Sequence, residues 1–350
     1  MKIENISLST TDKIGFVSNF STMLTSGISI LETVDSLLED SKGNQKKMLE
    51  VLRDDLIQGK RVYISFSKFP KVFDKVTINL LKAAEESGTL DIALRDLKNT
   101  ILKESEFTDK IKSALAYPVL ICLVFIGVML VILLFVIPKI ARVFTQLRVT
   151  LPLPTKILIF VSNIMTNNTI PLCIGLIFFF SGMVYLFKTR RRQLFALFFK
   201  LPLISILVKQ IDLTRFSRNL YYLLNSGIPI TNALELVEDV VLRNDIAKII
   251  RNCRETVSSG KRLSQGLRSD KKTIPSIMIK IVEAGEKSGT LDKSLLDISE
   301  FLDYQVTNTL RTITALIEPI MLVFVGVLIG GMMLSIIAPI YGLISQIGQR

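Results

Sequence analysis

The pentapeptide SGTLD occupies residues 87–91 and occurs again at residues 288–292, 201 positions further along the chain. Further matches keep the same order: SGI at 26–28 and 226–228, GKR at 59–61 and 260–262, Pro118 and Pro319, and Pro138 and Pro339. Their offset stays at 200 or 201 residues. The chain is therefore predicted to contain one unit twice.

The repeated pentapeptide is typical of a corner between two helices. Gly88 and Gly289 are expected in the left-handed conformation that ends a helix, so they are the predicted structural corners. The threonine after each glycine can cap the next helix, and Asp91 and Asp292 fall in its first turn, where the helix dipole favours an acid. Apolar residues elsewhere in the unit recur at helical spacing, as in Ile30, Leu31, Val34, Leu37 and Leu38. The unit is therefore predicted to be a helical domain.

Long apolar segments alternate with these domains. The chain has 350 residues, of which 49% are hydrophobic, and its mean hydropathy of +0.46 is typical of a membrane protein. Residues 119–137 contain no charge and are long enough to cross a bilayer, which takes about 20 apolar residues. A second span is predicted at 170–187 and a third from about Glu318 onward. Residues 157–165 form a shorter apolar run, which we interpret as interfacial or as an extension of the second span.

These features predict an all-α membrane protein with two homologous helical domains and three transmembrane helices. In chain order the segments are the first domain (1–116), a transmembrane helix (117–138), a non-cytoplasmic loop (139–169), a transmembrane helix (170–187), the second domain (188–315), a transmembrane helix (316–340) and a non-cytoplasmic tail (341–350). Two spans separate the domains, so both lie on one side of the membrane. Lys and Arg near the spans are more numerous on that side, which predicts that it is cytoplasmic.

The composition excludes several enzyme classes. The chain contains no histidine, which removes Ser-His-Asp hydrolases and HExxH metalloproteases. Gly260-Lys261 lacks the upstream glycine and the following Ser or Thr of a phosphate-binding loop. The three cysteines form no close pair, so neither a disulfide framework nor a zinc site is indicated. We therefore predict a non-enzyme without cofactor or metal. The net charge of +12 is explained by basic residues beside the spans, and no nucleic-acid partner is expected.

Acidic residues flank the repeated corner in both copies. Glu85 and Glu286 precede it, whereas Asp91 and Asp292 follow it. Each glutamate is either a solvated helix end or part of an edge that binds a protein partner, and as an exposed charge it would tolerate lysine with little loss of stability. Because the acids recur at equivalent positions, all four are candidate partner-binding residues.

The third predicted span contains further candidates. Glu318 lies at its start, either with its carboxylate among the lipid headgroups or as a polar anchor for a partner helix. Gly326 and Gly330 have the GxxxG spacing that lets two helices approach closely, although this spacing also arises by chance. The first two spans contain no Asp, Glu, Lys, Arg or His, which disfavours a transporter.

Several motifs resemble one known family. They are RFSRNL at 215–220, SGIPI at 226–230, GEKSGTL at 285–291, Tyr117-Pro118, Leu151-Pro152 and Glu318-Pro319. Together they resemble the integral inner-membrane platform proteins of type II secretion and type IV pilus assembly, the GspF/PilC type, over nearly the whole chain. The first copy departs from the pattern, with Ala84 where the family often has glycine before the glutamate.

The resemblance implies a fold and a set of partners. The domains would be helical bundles of about six helices each, and the chain would form a homo-oligomer in the bacterial inner membrane, in contact with lipid and other inner-membrane assembly proteins. It would couple a hexameric cytoplasmic assembly ATPase to insertion of pilin or pseudopilin subunits into a filament. The resemblance does not distinguish between a pilus, a secretion and a DNA-uptake system. The alternative is a small transporter or channel subunit with regulatory cytoplasmic domains.

Overall fold

The computed structural model describes residues 3–146, 156, 159–160, 162, 164, 202–270 and 272–347. Within these ranges the regular structure is helical and contains no strand. The predicted second span at 170–187 lies outside the described residues, as do most of the predicted loop at 139–169 and the start of the predicted second domain.

The first copy of the repeat is built from six α-helices among its described residues. They are α1 (Thr10–Thr25), α2 (Ile30–Asp40), α3 (Gly43–Ile57), α4 (Val62–Ser67), α5 (Lys75–Ser87) and α6 (Leu90–Val131). Ser9 and Ser29 cap α1 and α2 through their hydroxyl groups, and the Asp74 carboxylate caps α5. Buried aromatic rings fill the core, where Phe66 and Phe73 stack with centroids 4.5 Å apart.

The second copy repeats this order of helices in its described residues. They are α8 (Pro202–Asn225), α9 (Ile230–Glu238), α10 (Asn244–Ser258), α11 (Leu263–Leu267), α12 (Ser276–Ser288) and α13 (Leu291–Ile347). Phe216, Leu220, Leu234 and Val282 are fully buried in its core. The two copies share one compact unit (Met1–Lys110 with Ile204–Thr307), and the rest of the chain forms a second unit (Ile111–Leu203 with Asn308–Arg350).

Two of the described helices are long and apolar enough to cross a membrane. They lie within Leu90–Arg142 and Leu291–Gly331. In the first helix only 11% of the most apolar stretch is buried, and in the second helix none of it is buried. The core helix of a soluble protein would be mostly buried. These helices contain the predicted first and third spans.

The apolar parts of α6 and α13 contact each other within the second unit. The ring of Phe125 meets the ring of Phe324 edge-on, with centroids 5.2 Å apart. The α6 helix contains Pro118, and the hydroxyl of Thr314 in α13 lies 3.3 Å from the carbonyl oxygen of Ala114. The two helices are thus neighbours in this unit.

The first apolar helix continues beyond the predicted span boundary at residue 138. A π-helical turn (Ile132–Val136) follows α6 and leads into α7 (Ile137–Gln146). Ser162, from the shorter apolar run, donates a hydrogen bond of 2.6 Å to the carbonyl of Leu133 in this turn. The shorter apolar run therefore contacts the first apolar helix through Ser162.

Candidate partner-binding surfaces

The Glu85 carboxylate caps a helix of its own domain. Its two oxygens accept the backbone N–H groups of Val62 (2.9 Å) and Tyr63 (3.1 Å), at the start of α4. The residue at the N-cap position, Arg61, makes no side-chain cap. Since the first N–H groups of a helix have no partner within it, a carboxylate there both satisfies hydrogen bonds and complements the helix dipole. Glu85 thereby ties α5 to α4.

Glu286 makes the same contact in the second copy. Its carboxylate accepts the N–H groups of Leu263 (2.5 Å) and Ser264 (3.3 Å) at the start of α11, where Arg262 provides no side-chain cap. In both copies the glutamate lies 23 residues after the first amide that it caps. The recurrence of the glutamates is therefore explained within the domain, and their partner-binding role stays a prediction.

The repeated glycines end α5 and α12 in the left-handed conformation. Gly88 has φ 75° and ψ 16°, and Gly289 has φ 75° and ψ 15°. The amide of the following threonine donates back to the carbonyl of Ala84 in one copy and Gly285 in the other, at 2.9 Å in each case. This is the hydrogen bond of a Schellman motif, in which a residue with a Cβ atom at the glycine position would be strained.

The two copies differ in the side chains that pack where the helices on either side of the corner meet. A Cβ atom built on Gly285 would lie 2.8 Å from the Cβ of Ser294 and would overlap its hydroxyl oxygen. At the equivalent positions the first copy has Ala84 and Ala93. The extra methyl group on α5 is thus matched by the missing hydroxyl on α6, which accounts for the departure of Ala84 from the family pattern.

Asp91 and Asp292 lie in the first turns of α6 and α13, as expected from the spacing. Both side chains are partly exposed. Among the described residues neither carboxylate makes an ion pair or a hydrogen bond to another side chain. These aspartates are therefore the acids of the two corners that the domain leaves available.

The candidates in the third predicted span lie along α13. Glu318 is exposed, and the helix continues through Pro319 without a break. A Cβ atom at Gly326 or Gly330 would meet nothing within 4 Å. Within the described part of the chain, this glycine face is uncovered.

Sequence reasoning missed an ionic network that joins the two copies. The Arg218 guanidinium in α8 is 6% exposed and lies 3.1 Å from the Asp303 carboxylate of α13 and 3.6 Å from the Glu104 carboxylate of α6. It also lies over the ring of Phe107, 5.1 Å from the centroid. Arg215 binds Glu104 at 2.9 Å. The arginine pair three residues apart in the RFSRNL motif was the available signal.

A buried carboxylate distinguishes the first copy from the second. Asp55 is 3% exposed and pairs with Lys60 (2.7 Å) and Lys68 (2.5 Å), whereas the second copy has Thr256 at the equivalent position. Burial alone would raise the pKa of Asp55, but its hydrogen bonds to the two lysines outweigh burial and the pKa lies below its ordinary value. The charge of this carboxylate is therefore balanced by two lysines of its own copy.

A family comparison matches both copies. The model of the family described as "Type II secretion system (T2SS), protein F" matches residues 16–138 and 216–339. The two matched segments coincide with the two copies, each with its domain and following apolar helix. The predicted duplication is confirmed.

Individual relatives match nearly the whole chain. The type IV pilus assembly protein PilC of Thermus thermophilus is 30% identical over 339 residues, which cover 96% of this chain and 83% of the relative. PilC of Myxococcus xanthus is 28% identical, with 96% and 81% covered. The type II secretion system protein F of Aeromonas hydrophila is 27% identical, with 91% and 83% covered. The chain therefore belongs to the type II secretion system protein F family, as the resemblance predicted.

Proposed function

We propose that this chain is the integral membrane platform of a type IV pilus or type II secretion machine. In this role it couples a cytoplasmic assembly ATPase to the insertion of pilin or pseudopilin subunits into a filament. Membership of the family supports a role in such a machine, and the names of the relatives include both pilus assembly and secretion. It acts as a structural component and not as an enzyme.

The observation that carries the proposal is the continuity of two helices. The α6 helix includes both core residues of the first copy and an apolar segment of membrane length, and α13 does the same for the second copy. A helix shared by a domain and a span offers a route by which movement of the domain reaches the membrane. A chain without a nucleotide site of its own can use this route to receive work from a separate ATPase.

The proposed topology has three spans and two cytoplasmic domains. With the span at 170–187, two spans separate the two copies, so both copies lie on the same side of the inner membrane. Reporter fusions after Leu97 and Leu296 should both report the cytoplasm, and a fusion near Thr150 should report the opposite side. Domain fusions that reported opposite sides would exclude this topology.

The proposed ATPase contact includes the available acids of the corners. Asp91 and Asp292 are accessible and occupy equivalent positions, so a basic surface on the ATPase can meet both. Within the membrane, Glu318 and the face of Gly326 and Gly330 are proposed to pack against pilin helices or a neighbouring platform helix. Lipid and other inner-membrane assembly proteins complete the proposed surroundings.

The test is retention of the assembly ATPase by the full-length protein in detergent. Asp292→Lys should lower the amount of ATPase retained and the filament output, with only a small fall in melting temperature. The carboxylate has no side-chain partner among the described residues, so the expected loss is the helix-dipole contribution of about 0.3–1 kcal/mol. Asp297→Lys is the matched control, since it reverses an exposed charge on the same helix. Equal ATPase retention by the two variants would remove Asp292 from the contact, and no retention by the wild-type protein would overturn the coupling.

A further inference from the structure

The first copy docks one face of α5 onto the second copy. Val76 and Leu80 belong to the hydrophobic core of the second copy and are 5% and 8% exposed. At the edge of this contact the Lys75 ammonium lies 2.6 Å from the Asp239 carboxylate. Ala83, on the same side of α5, lines a cleft beside this contact together with Ile228 and Asn232.

The equivalent face of α12 is largely exposed in the part of the chain that the structure describes. Ile277, Lys280, Ile281 and Ala284 correspond to Val76, Asn79, Leu80 and Ala83 at the offset of 201 residues. Ile277 is 48% exposed, and Lys280 and Ala284 are also exposed among the described residues. Val76 and Leu80 are thus buried in the first copy, whereas the equivalent Ile277 is exposed and Ile281 is half-buried.

The surface that receives α5 also has an uncovered counterpart. On the second copy, Ile228, Asn232, Glu235 and Leu236 line the cleft beside α5. Their equivalents on the first copy, at an offset of 200 residues, are Ile28, Glu32, Asp35 and Ser36, around the start of α2. Glu32 and Ser36 are exposed. The chain therefore carries a donor face on α12 and an acceptor face on α2, neither of which is covered by the described residues.

The charges on these two faces are complementary. The α12 face presents the exposed Lys280, and the α2 face presents the exposed Glu32 and Glu39. Lys287 is paired with Glu283 on its own helix, and Asp35 is paired with Arg53, so these charges are balanced within the chain. The polarity is the same as in the contact within the chain, where the lysine lies on α5 and the aspartate follows α9. The sign of the charge is thus kept although the individual residues differ.

We propose that the α12 face of one molecule docks on the α2 face of a second copy of this chain, repeating between molecules the contact that α5 and α9 make within one. Such a head-to-tail contact leaves a free face at each end, so it closes into a ring or extends beyond a dimer. This contact would hold together the homo-oligomer that the proposed function includes. The contact is inferred from the duplicated fold and does not depend on coupling to an ATPase.

The contact between molecules is more polar than its template. The apolar Leu236 and Val240 of the second copy are replaced by Ser36 and Asp40 in the first. Less apolar area and more charge make the contact depend on ionic strength, because salt screens interactions between exposed charges. Association through these faces should therefore weaken as salt is raised.

Thiol cross-linking of the full-length protein in membranes tests the proposal. Ser276 and Glu39 are the equivalents of Lys75 and Asp239, so the variant with Ser276→Cys and Glu39→Cys should form a ladder of dimers, trimers and larger species with a short bis-maleimide. The background carries Cys122→Ser and Cys173→Ser. Cys253 can stay, because it is buried and burial raises the pKa of its thiol to about 12, which leaves it unreactive.

Controls separate this contact from other kinds of association. Lys75→Cys with Asp239→Cys should cross-link within one chain and add no mass. In the ladder-forming background, Lys280→Glu and Glu32→Lys should each reduce the ladder at least threefold, and the two together should restore it. The proposal is wrong if Ser276→Cys alone gives as much dimer as the pair, if the control links but the pair does not, or if the combined reversal fails to restore the ladder. The readout needs no filament, so it is independent of the proposed function.

Discussion

Glu286→Lys tests whether the recurring glutamates act inside the domain. The wild-type carboxylate accepts two backbone N–H groups at the start of α11. The substitution removes this cap, which costs about 0.5–2 kcal/mol, and places a cation beside the positive end of the helix dipole, which adds about 0.3–1 kcal/mol. We expect the second copy to lose about 1–3 kcal/mol of unfolding free energy. If the glutamate were an exposed charge without a partner, the same substitution would lower the unfolding free energy by less than about 0.5 kcal/mol.

Hydrogen exchange locates the effect. In the full-length protein in detergent, the amides of residues 263–267 should exchange about 5- to 160-fold faster in Glu286→Lys, which is the free-energy loss expressed as an opening equilibrium. The melting temperature should fall as well. Glu286→Gln should show a smaller change, because its amide oxygen can still accept one hydrogen bond. Asp297→Lys, which reverses an exposed charge on α13, should leave α11 protected.

The reasoning is refuted by one combination of results. If Glu286→Lys keeps the exchange protection and melting temperature of Asp297→Lys while filament output falls, the carboxylate acts at a partner and not as a cap. If Glu85→Lys loosens α4 as Glu286→Lys loosens α11, the role is common to both copies.

Two further predictions concern stability. Gly285→Ala should lower the melting temperature, because overpacking against Ser294 costs about 1–3 kcal/mol and outweighs the gain of up to about 1 kcal/mol in helix propensity. Adding Ser294→Ala removes the overlap with the hydroxyl but keeps the Cβ atom, so it should recover part of the loss in a double-mutant cycle. Asp55→Asn should destabilise the first copy by about 1–3 kcal/mol at neutral pH, a modest loss since Lys60 can turn to solvent. Because the folded pKa of Asp55 is lowered, the wild-type advantage should be complete above about pH 4 and shrink as the pH falls further, so an advantage that persisted undiminished in acid would contradict the ion pairing.

The features that were predictable from the sequence are local. Gly88 and Gly289 are specified by a helix end followed by Thr-Leu-Asp, a pattern that involves only neighbouring residues. The apolar helices follow from uninterrupted composition, and the duplication follows from matched offsets. Each of these inferences needs no knowledge of which helices pack together.

The features that were missed depend on tertiary packing. Glu85 reaches an amide 23 residues earlier in the chain, so its role becomes visible only when α4 and α5 are adjacent. From the sequence alone this glutamate is predicted to be either a solvated helix end or part of a partner-binding edge, because neither interpretation requires a neighbouring helix. Arg218 meets Asp303 and Glu104 from two other helices, and a single sequence gives no measure of that proximity.

Pro118 has a consequence for how the apolar helices behave in lipid. A proline donates no backbone hydrogen bond, so the carbonyl of Ala114, four residues earlier, lacks its usual helical donor. The Thr314 hydroxyl lies 3.3 Å from that oxygen, although it also lies 3.0 Å from the carbonyl of Leu310 within its own helix. Ala114 and Thr314 both lie just outside the predicted spans (117–138 and 316–340), where water and lipid headgroups are present. The Ala114 carbonyl can therefore exchange the threonine hydroxyl for water or another donor, so α6 and α13 can part at this level without leaving an unsatisfied carbonyl.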